Sequence, residues 1–565
     1  MNRLLAALSI RARLKKRYSV VHPSSKSTWL GVLLGCLGFW LVPVPGTSSS
    51  AVAAERIYIS YGALERSISV AALEAYAKEG KLDDDLAAYV DYISPQQLAQ
   101  LQSVLLARIE LSPVAVSQFL YTPQGEILLD RLGQVIQTEA RQPGFYALRA
   151  ALILAAADPE GLTLLNVLDK FPTRSIRINL RRSLQIAEEL QRLINQTRQE
   201  LALVEQQSTA GANPQQVASF SQLPDLRQPG QISWRKQTYT LNDLHRNRTF
   251  LADIYFPEVT EPAPVIVISH GLGSDRTSFE YLAEQLASYG FAVAVPEHLG
   301  SNTAQLRALL SGRANEVAQP NEFINRPLDV KFLLDQLQLL DSSNPTFKLN
   351  LQQVGVIGQS FGGYTALALA GAELNFDQLE KDCVTLNDSW NVSLLLQCRA
   401  LQLPPNQYDL QDERIKAAIA INPITSSLFG KAGISQIKIP VMIVGSSADT
   451  FAPILSEQLL PFSWLSTPEK YFALIRGGTH FSTIGQSDPA KEPVAVPTQV
   501  IGPNPAIARR YMDALSVAFF QTHLAKAPQY RPYLSSSYAQ AISQDPLNLS
   551  LLQSLPLTQF APFIR

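Results

Sequence analysis

The stretch Gly358-Gln359-Ser360-Phe361-Gly362-Gly363 sets a serine among small residues at the junction of two apolar segments. Residues 354–357 have the composition of a buried strand, and residues 361–370 that of a helix. Small residues two before and two after the serine predict a tight, strained turn that lifts the hydroxyl clear of the backbone, beside the helix N-terminus. We therefore predict that Ser360 is a nucleophile, with an ordinary tight turn as the alternative.

A serine hydroxyl needs a base, and two of the six histidines follow Ser360 in the chain, His480 and His523. In sites built on a strand–serine–helix turn, the base comes last in chain order. His480 stands on a Gly-rich loop directly after a predicted strand, where such sites are assembled. His523 falls inside a predicted helix, where a surface role is expected. We predict His480 as the base, with a structural loop histidine as the alternative.

The orienting acid should lie between the nucleophile and the base. Asp449 follows the predicted strand 441–445, and a carboxylate there can hold one imidazole nitrogen and stabilise the imidazolium. The strand ending at Ile421 is followed by Asn422, whose amide cannot stabilise a cation in the same way. Asp449 is therefore predicted as the acid. Its competitors lie in or just after a long insertion, and none directly follows a strand: Asp377, Asp382, Asp388, Asp409 and Asp412.

Two backbone N–H groups are needed to stabilise the oxyanion of an acyl-transfer reaction. One is predicted to be that of Phe361, directly after the nucleophile. The other is predicted to be that of Leu272, because glycines on either side of it let the backbone approach a substrate. A plain Gly-rich turn is the alternative for this loop.

The elements that must position these groups alternate between strand and helix from residue 231 onward. Such alternation predicts a mostly parallel sheet with helices on both faces, the α/β class. The predicted strands are 249–256, 265–269, 291–296, 354–357, 417–421, 441–445 and 471–475. The predicted helices are 278–289, 327–340, 361–370 and 506–523.

The chain has 565 residues, which suits two domains. Residues 57–206 show almost only helical spacing, and a polar stretch with Pro and Gly follows. We predict a separate all-α domain at 55–206, a linker at 207–230 and the α/β domain at 231–565. About forty residues between two predicted elements, roughly 371–411, form an insertion that we interpret as a cap. Its leucines 394–396 and Trp390 offer apolar surface for an acyl chain.

The first 54 residues have the pattern of a secretory signal. Basic residues precede a short apolar run, and Ala51-Val52-Ala53-Ala54 leads into Glu55. We predict a signal peptide and export, with an uncleaved membrane anchor as the alternative. Two cysteines then remain, Cys383 and Cys398, and an exported protein with one such pair favours a disulfide. Two unlinked thiols are the alternative.

Charge is nearly balanced, with 47 Lys plus Arg against 48 Asp plus Glu, which gives no reason to expect a nucleic-acid partner. A predicted basic helix at 174–198 is either a solvated face over a packed one or a site of peripheral contact with anionic lipid. Carboxylates and His298 lack metal-ligand spacing, so no metal and no cofactor are predicted. Glu297 and His298 are expected to shape the loop that follows their strand.

Three motifs together resemble the platelet-activating-factor acetylhydrolase-like branch of the α/β hydrolases. They are His270-Gly271-Leu272-Gly273-Ser274-Asp275-Arg276, Pro296-Glu297-His298 and the stretch around Ser360. The resemblance covers about residues 249–523 and implies the α/β-hydrolase fold and calcium-independent cleavage of carboxylic esters, including short acyl groups on lipids. In that branch the acid can follow the strand after the nucleophile, where this chain departs with Asn422. The preceding helical region resembles a domain of unknown function found before such hydrolases in photosynthetic bacteria.

The residues and the resemblance together predict a serine hydrolase that cleaves a small-molecule or lipid ester through an acyl-enzyme. A thioesterase or peptidase on the same triad is one alternative. A binding or scaffold protein with a vestigial hydrolase fold is another.

Overall fold

The computed structural model describes residues 53–61, 64–90, 94–344, 346–485 and 498–555. The predicted signal peptide, residues 1–54, lies outside the described residues except for its last two. None of the described helices is long and apolar enough to cross a membrane.

Strands and helices mix in the N-terminal part of the chain. Its elements are β1 (Arg56–Tyr61), β2 (Leu64–Ser69), α1 (Val70–Glu79), α2 (Asp84–Val90), α3 (Pro95–Leu106), α4 (Pro113–Leu120), α5 (Pro123–Val135), β3 (Ile136–Thr138), α6 (Phe145–Ala157), α7 (Leu164–Asp169), β4 (Ser175–Asn179), α8 (Leu180–Gly211) and α9 (Pro214–Ser219). Four of the helices begin with proline at the first helical position, preceded by a side chain that accepts a hydrogen bond from the first turn: Ser94, Ser112, Thr122 and Asn213.

The four short strands form one sheet in the order β2-β1-β4-β3, with β1 and β4 parallel. The prediction of an all-α region is therefore wrong. The strands are three to six residues long, so their period-two pattern is easily lost between helices. The predicted basic helix at 174–198 is also corrected, because its first residues form β4 and the helix begins at Leu180.

The α/β part continues with twenty further elements. They are β5 (Trp234–Asp243), β6 (Arg248–Pro257), β7 (Ala263–Ser269), α10 (Glu280–Ser288), β8 (Ala292–Pro296), α11 (Thr303–Leu310), α12 (Glu322–Ser343), β9 (Leu349–Gln359), α13 (Phe361–Leu369), α14 (Phe376–Cys383), α15 (Leu394–Gln397), β10 (Ile415–Ile421), α16 (Ser426–Ile434), β11 (Val441–Ser446), α17 (Leu460–Trp464), β12 (Lys470–Ile475), α18 (Thr498–Ile501), α19 (Pro505–His523), α20 (Ser536–Ile542) and β13 (Leu549–Leu552).

Nine strands form the central sheet, in the order β13-β12-β11-β10-β9-β7-β8-β6-β5. The six strands from β12 to β8 are parallel, and the strands at both edges are antiparallel. Every predicted strand of this part is present, which confirms the α/β class. The edge strands β5 and β13 were not predicted.

Both faces of the sheet are buried. Along β7, Val265 and Val267 belong to the core on one face, whereas Ile266 and Ile268 belong to the core on the other. Helices α12 and α13 cover the first face, and α10 and α19 cover the second. Covering on both faces explains why these strands are continuous apolar runs.

The N-terminal part packs against the α/β part, and the described residues form one compact unit. Helix α8 runs five residues into the predicted linker, and the Ser208 hydroxyl near its end accepts a hydrogen bond of 3.2 Å from the Leu551 N–H on β13. Helix α4 packs against α11. The predicted separateness of the N-terminal region is thus not found, while the boundaries at 206 and 230 stay predictions.

Candidate active site

The turn around Ser360 joins β9 to α13 with strained backbone geometry. Ser360 has φ 56° and ψ −115°, a conformation that non-glycine residues rarely adopt. A Cβ atom on Gly358 would lie 1.8 Å from the Gly362 carbonyl oxygen, and one on Gly362 would lie 2.0 Å from that of Ser269. The backbone segments therefore meet only because glycines stand there, and the predicted tight turn is present.

His480 and Asp449 meet at the carboxyl ends of neighbouring parallel strands, β12 and β11. His480 Nδ1 lies 2.7 Å from Asp449 Oδ2, and the aspartate side chain is completely buried. The other carboxylate oxygen accepts hydrogen bonds from the Phe451 and Ala452 N–H groups, each at 2.8 Å. These donors hold the carboxylate in one orientation, so Nδ1 of the ring faces the carboxylate and Nε2 does not.

Gln359 links the nucleophile turn to the histidine loop. Its Nε2 donates to the His480 carbonyl at 3.0 Å, and a Cβ atom on Gly271 would lie 2.3 Å from its Oε1. Among the described residues no hydrogen bond joins Ser360 Oγ to His480, and such pairs often tighten only when substrate binds. Sequence reasoning did not single out Gln359, although it occupies the variable position directly before the serine.

The loop that carries Leu272 is fixed at the residue that follows it, Gly273. The Gly273 N–H donates to the Ser301 carbonyl at 2.8 Å, and the Thr303 hydroxyl donates to the Gly273 carbonyl at 3.0 Å. Within the described part of the chain, neither the Leu272 N–H nor the Phe361 N–H donates to a protein acceptor. Both N–H groups are therefore available for an oxyanion.

Two buried histidines lie beneath this loop. The His298 N–H donates to His270 Nε2 at 3.0 Å, so His270 is neutral and its Nδ1 donates to the Gly271 carbonyl at 2.8 Å. His298 lies 2.9 Å from Ser269 Oγ and 3.3 Å from Asp329 Oδ2. Burial, reinforced by the charge of Arg326, lowers the pKa of both histidines well below the usual value. They support the loop as neutral side chains.

The alternative acids and the alternative base lie elsewhere. Asn422 has φ 42°, and its amide donates to Ser446 Oγ at 3.1 Å and to the His480 carbonyl at 3.5 Å, so it contacts the histidine loop through the backbone. Among the described hydrogen bonds, none of the five competing aspartates reaches His480.

His523 is buried, not on the surface as expected. Its Nε2 lies 3.3 Å from the Tyr471 hydroxyl, and burial lowers its pKa to about 4.

The insertion at 371–411 is closed by a disulfide. Cys383 and Cys398 are bonded, with Cα atoms 5.7 Å apart, which confirms the predicted pair. Trp390 Nε1 donates to Glu189 on α8 at 3.4 Å, and Gln124 on α5 donates to the Leu395 carbonyl at 3.2 Å. The indole that was interpreted as acyl-pocket surface therefore contacts the N-terminal part of the chain.

A buried carboxylate ties the insertion to the α/β part. Glu457 lies in a π-helical turn, residues 455–459, downstream of Asp449. It accepts hydrogen bonds from Gln397 Nε2 at 3.0 Å and from the Thr425 and Ser426 N–H groups at 2.7 and 2.9 Å. The described residues contain no group of three or more histidine, cysteine, aspartate or glutamate side chains suited to a metal ion.

Two family models match separate parts of the chain. A family model described as "Alpha/beta hydrolase of unknown function (DUF1400)" matches residues 53–179, and the model for "Platelet-activating factor acetylhydrolase, isoform II" matches residues 254–325. Over these two regions the chain is similar to α/β hydrolases of the platelet-activating-factor acetylhydrolase-like branch. The predicted resemblance is thereby confirmed, including the uncharacterised family of the N-terminal region.

Two kinds of named enzyme are among the curated relatives of this chain. The platelet-activating factor acetylhydrolase of Canis lupus familiaris is 29% identical over 197 residues, which are 26% of this chain and 41% of that protein. Cutinase est1 of Thermobifida alba is 25% identical over 231 residues, which are 40% of this chain and 57% of that protein. The chain thus spans about two-fifths to three-fifths of the length of these relatives.

Proposed function

We propose that this hydrolase cleaves carboxylic esters through a covalent acyl-enzyme formed on Ser360. The observation that carries the proposal is the 2.7 Å hydrogen bond between the buried Asp449 carboxylate and His480 Nδ1, beside a strained serine turn. A carboxylate buried against an imidazole is costly unless the pair is hydrogen-bonded, and such pairs activate serine nucleophiles. The relatives named acetylhydrolase and cutinase support an ester as the substrate.

The reaction begins when His480 Nε2 takes the Ser360 proton as the hydroxyl oxygen attacks the ester carbonyl carbon. Asp449 stabilises the imidazolium that forms, and the Leu272 and Phe361 N–H groups stabilise the oxyanion. The imidazolium then returns its proton to the leaving alcohol as the acyl-enzyme forms. Water, deprotonated by the same imidazole, attacks the acyl carbon, and the imidazolium returns that proton to Ser360 Oγ as the acid leaves.

We further propose that the substrate is a short-acyl or lipid ester and that the insertion contributes to the acyl pocket. The hydrogen bonds of Glu457 support the role of the insertion. Glu457 accepts from Gln397 in the insertion and from the N–H groups three and four residues after Asn422. Asn422 in turn contacts the His480 carbonyl. A displacement of the insertion would therefore move Glu457 and the backbone at Thr425 and Ser426. That backbone leads back to Asn422, which contacts the histidine loop. We also propose export after removal of residues 1–54.

The proposal is tested by a hydrolysis screen with the mature protein and chromogenic esters of increasing acyl length. We expect turnover that falls with acyl chains too long for the pocket, and no turnover by Ser360→Ala. Matched thioester and peptide substrates separate the alternatives on the same triad. Faster cleavage of a thioester or peptide than of every ester contradicts the proposed substrate class.

A further inference from the structure

Arg326 is a completely buried cation directly behind the proposed oxyanion hole. It lies in the first turns of α12, and none of its side chain reaches solvent. Its Nη2 donates a hydrogen bond to the His270 carbonyl, and its Nη1 lies 3.5 Å from Ser301 Oγ. The guanidinium carbon lies 4.5 Å from the centre of the Phe361 ring. One side chain therefore contacts both chain segments whose N–H groups face the proposed oxyanion.

The positions of these contacts bear directly on the two donors. The His270 carbonyl is two residues before Leu272, and the Ser301 carbonyl fixes Gly273 on the other side of the same N–H. On the second segment, Phe361 supplies its N–H to the hole and its ring to the guanidinium. Movement of Arg326 would therefore change the separation of the two donors, and oxyanion stabilisation depends on donors held within a few tenths of an ångström.

The charge of Arg326 is not neutralised by a direct partner. Among the described residues no carboxylate oxygen lies within 4.0 Å of its nitrogens, and its Nε has no acceptor. The nearest acids on its own helix are occupied by another arginine, since Arg248 lies 3.0 Å from Glu322 and 2.8 Å from Asp329. A buried cation with no carboxylate in direct contact is costly to the fold, and the more distant charges of Glu322 and Asp329 offset it in part.

A cation in such a place favours any negative charge that develops nearby. The tetrahedral intermediate puts that charge on the oxyanion, whereas the bound ester is neutral. A fixed positive charge behind the two N–H groups therefore stabilises the transition state more than the substrate complex, which is the condition for raising kcat.

We propose that Arg326 is a positioning residue for the oxyanion hole, holding the Leu272 and Phe361 N–H groups in register and setting a buried positive charge behind them. The proposal rests on the proposed function, because it assumes that an oxyanion forms on an acyl group attached to Ser360. Arg326 acts by fixing the positions of the two N–H donors and by the electrostatic field of its charge, and it does not touch the substrate.

The test compares Arg326→Met and Arg326→Lys with wild type in the full mature chain. Arg149→Met is the matched control, since Arg149 is also buried and lies 4.2 Å from the centre of the Tyr121 ring, in the N-terminal part. We expect Arg326→Met to lower kcat about 10²-fold, the size of losing one oxyanion donor, with KM within about threefold. Affinity for a trifluoromethyl ketone, which forms a tetrahedral adduct with the serine, should fall by the same factor. Arg326→Lys should recover part of both losses.

Unchanged kcat and inhibitor affinity in a folded Arg326→Met protein would overturn the proposal while leaving the proposed function intact. If that variant does not fold, Phe361→Leu decides, because it removes the ring over the guanidinium and keeps the N–H. It should lower kcat at constant KM, and full activity would overturn the proposal. A wild-type protein that neither hydrolyses esters nor reacts with a fluorophosphonate overturns the proposed function, and the Arg326 proposal with it.

Discussion

Replacing Asp449 by asparagine removes one charge and one acceptor from the candidate triad at almost unchanged shape. The Phe451 and Ala452 N–H groups both donate to Asp449 Oδ1, so they require an oxygen there and fix the orientation of the new amide. Its NH2 group then stands where Oδ2 lay, 2.7 Å from His480 Nδ1. The amide donates to Nδ1, which leaves the proton on Nε2, the nitrogen that must accept the serine proton.

The loss can be estimated from the geometry. Two unit charges about 4 Å apart interact by roughly 4 kcal/mol at an effective dielectric constant of 20, and this attraction to the imidazolium disappears. About 4 kcal/mol in the barrier corresponds to roughly 10³ in rate, and the wrong tautomer adds to it, so we expect kcat to fall by about 10³–10⁴. Ser360→Ala and His480→Ala should lose more, about 10⁵–10⁶, because they remove bond-making and proton-transferring groups.

The assay is the steady-state hydrolysis of a chromogenic acetate ester by the folded variants. Asp382→Asn is the matched control, since Asp382 accepts a hydrogen bond of 2.6 Å from Ser427 and makes no hydrogen bond to His480 in the described structure. It should retain wild-type kcat. A wild-type kcat in Asp449→Asn would refute the assignment of Asp449 as the acid. An equally large loss of kcat in Asp382→Asn would show that the effect is not specific to Asp449.

The remaining predictions concern stability, the insertion and export. Because the pKa of His298 is lowered in the fold, the unfolded state takes up its proton first as the pH falls below about 6.5, and stability is lost over that range. Below this pH the unfolding free energy of wild type should fall by up to about 1.4 kcal/mol per pH unit more than that of His298→Gln, as measured by urea unfolding. An equal pH dependence in the two proteins would contradict this prediction. Cys383→Ser with Cys398→Ser should lower the unfolding free energy by about 3 kcal/mol and alter acyl-length preference; an unchanged preference would exclude the insertion from the pocket. N-terminal sequencing of the exported protein should begin near Ala54 or Glu55, and an intact Met1 on a cytoplasmic protein contradicts export.

The sequence predicted the central sheet well because its strands are buried on both faces. Continuous apolar runs such as 265–269 and 441–445 have that composition wherever they occur, so pattern alone locates them. The two strands of this sheet that the sequence did not predict are its edge strands, β5 and β13. β5 is mostly exposed and rich in polar residues, whereas β13 is buried but has only four residues. In the N-terminal part, the short strands β1 and β4 pair with each other although they lie more than a hundred residues apart in the chain. Local periodicity cannot reveal such a pairing.

In the candidate site, too, only the residues with a local sequence signal could be predicted. Ser360, His480 and Asp449 were predictable because each directly follows a strand, and parallel strands bring their carboxyl ends to one edge. The side chains that support these three residues could not be predicted from the sequence. Arg326 carries no local signal, since its role depends on α12 passing behind two distant loops. His523 was misplaced for a related reason, because the helix that carries it lies against the sheet and leaves no side exposed at that position.

The most direct test of the proposed function is the reaction of the mature protein with a fluorophosphonate probe, followed by mass spectrometry of the labelled peptide. A serine activated by His480 should attack phosphorus, displace fluoride and carry a single covalent adduct on Ser360. His480→Ala should abolish the labelling, and Asp449→Asn should slow it. Absence of labelling in the folded wild-type protein, or an adduct on a residue other than Ser360, would contradict the account.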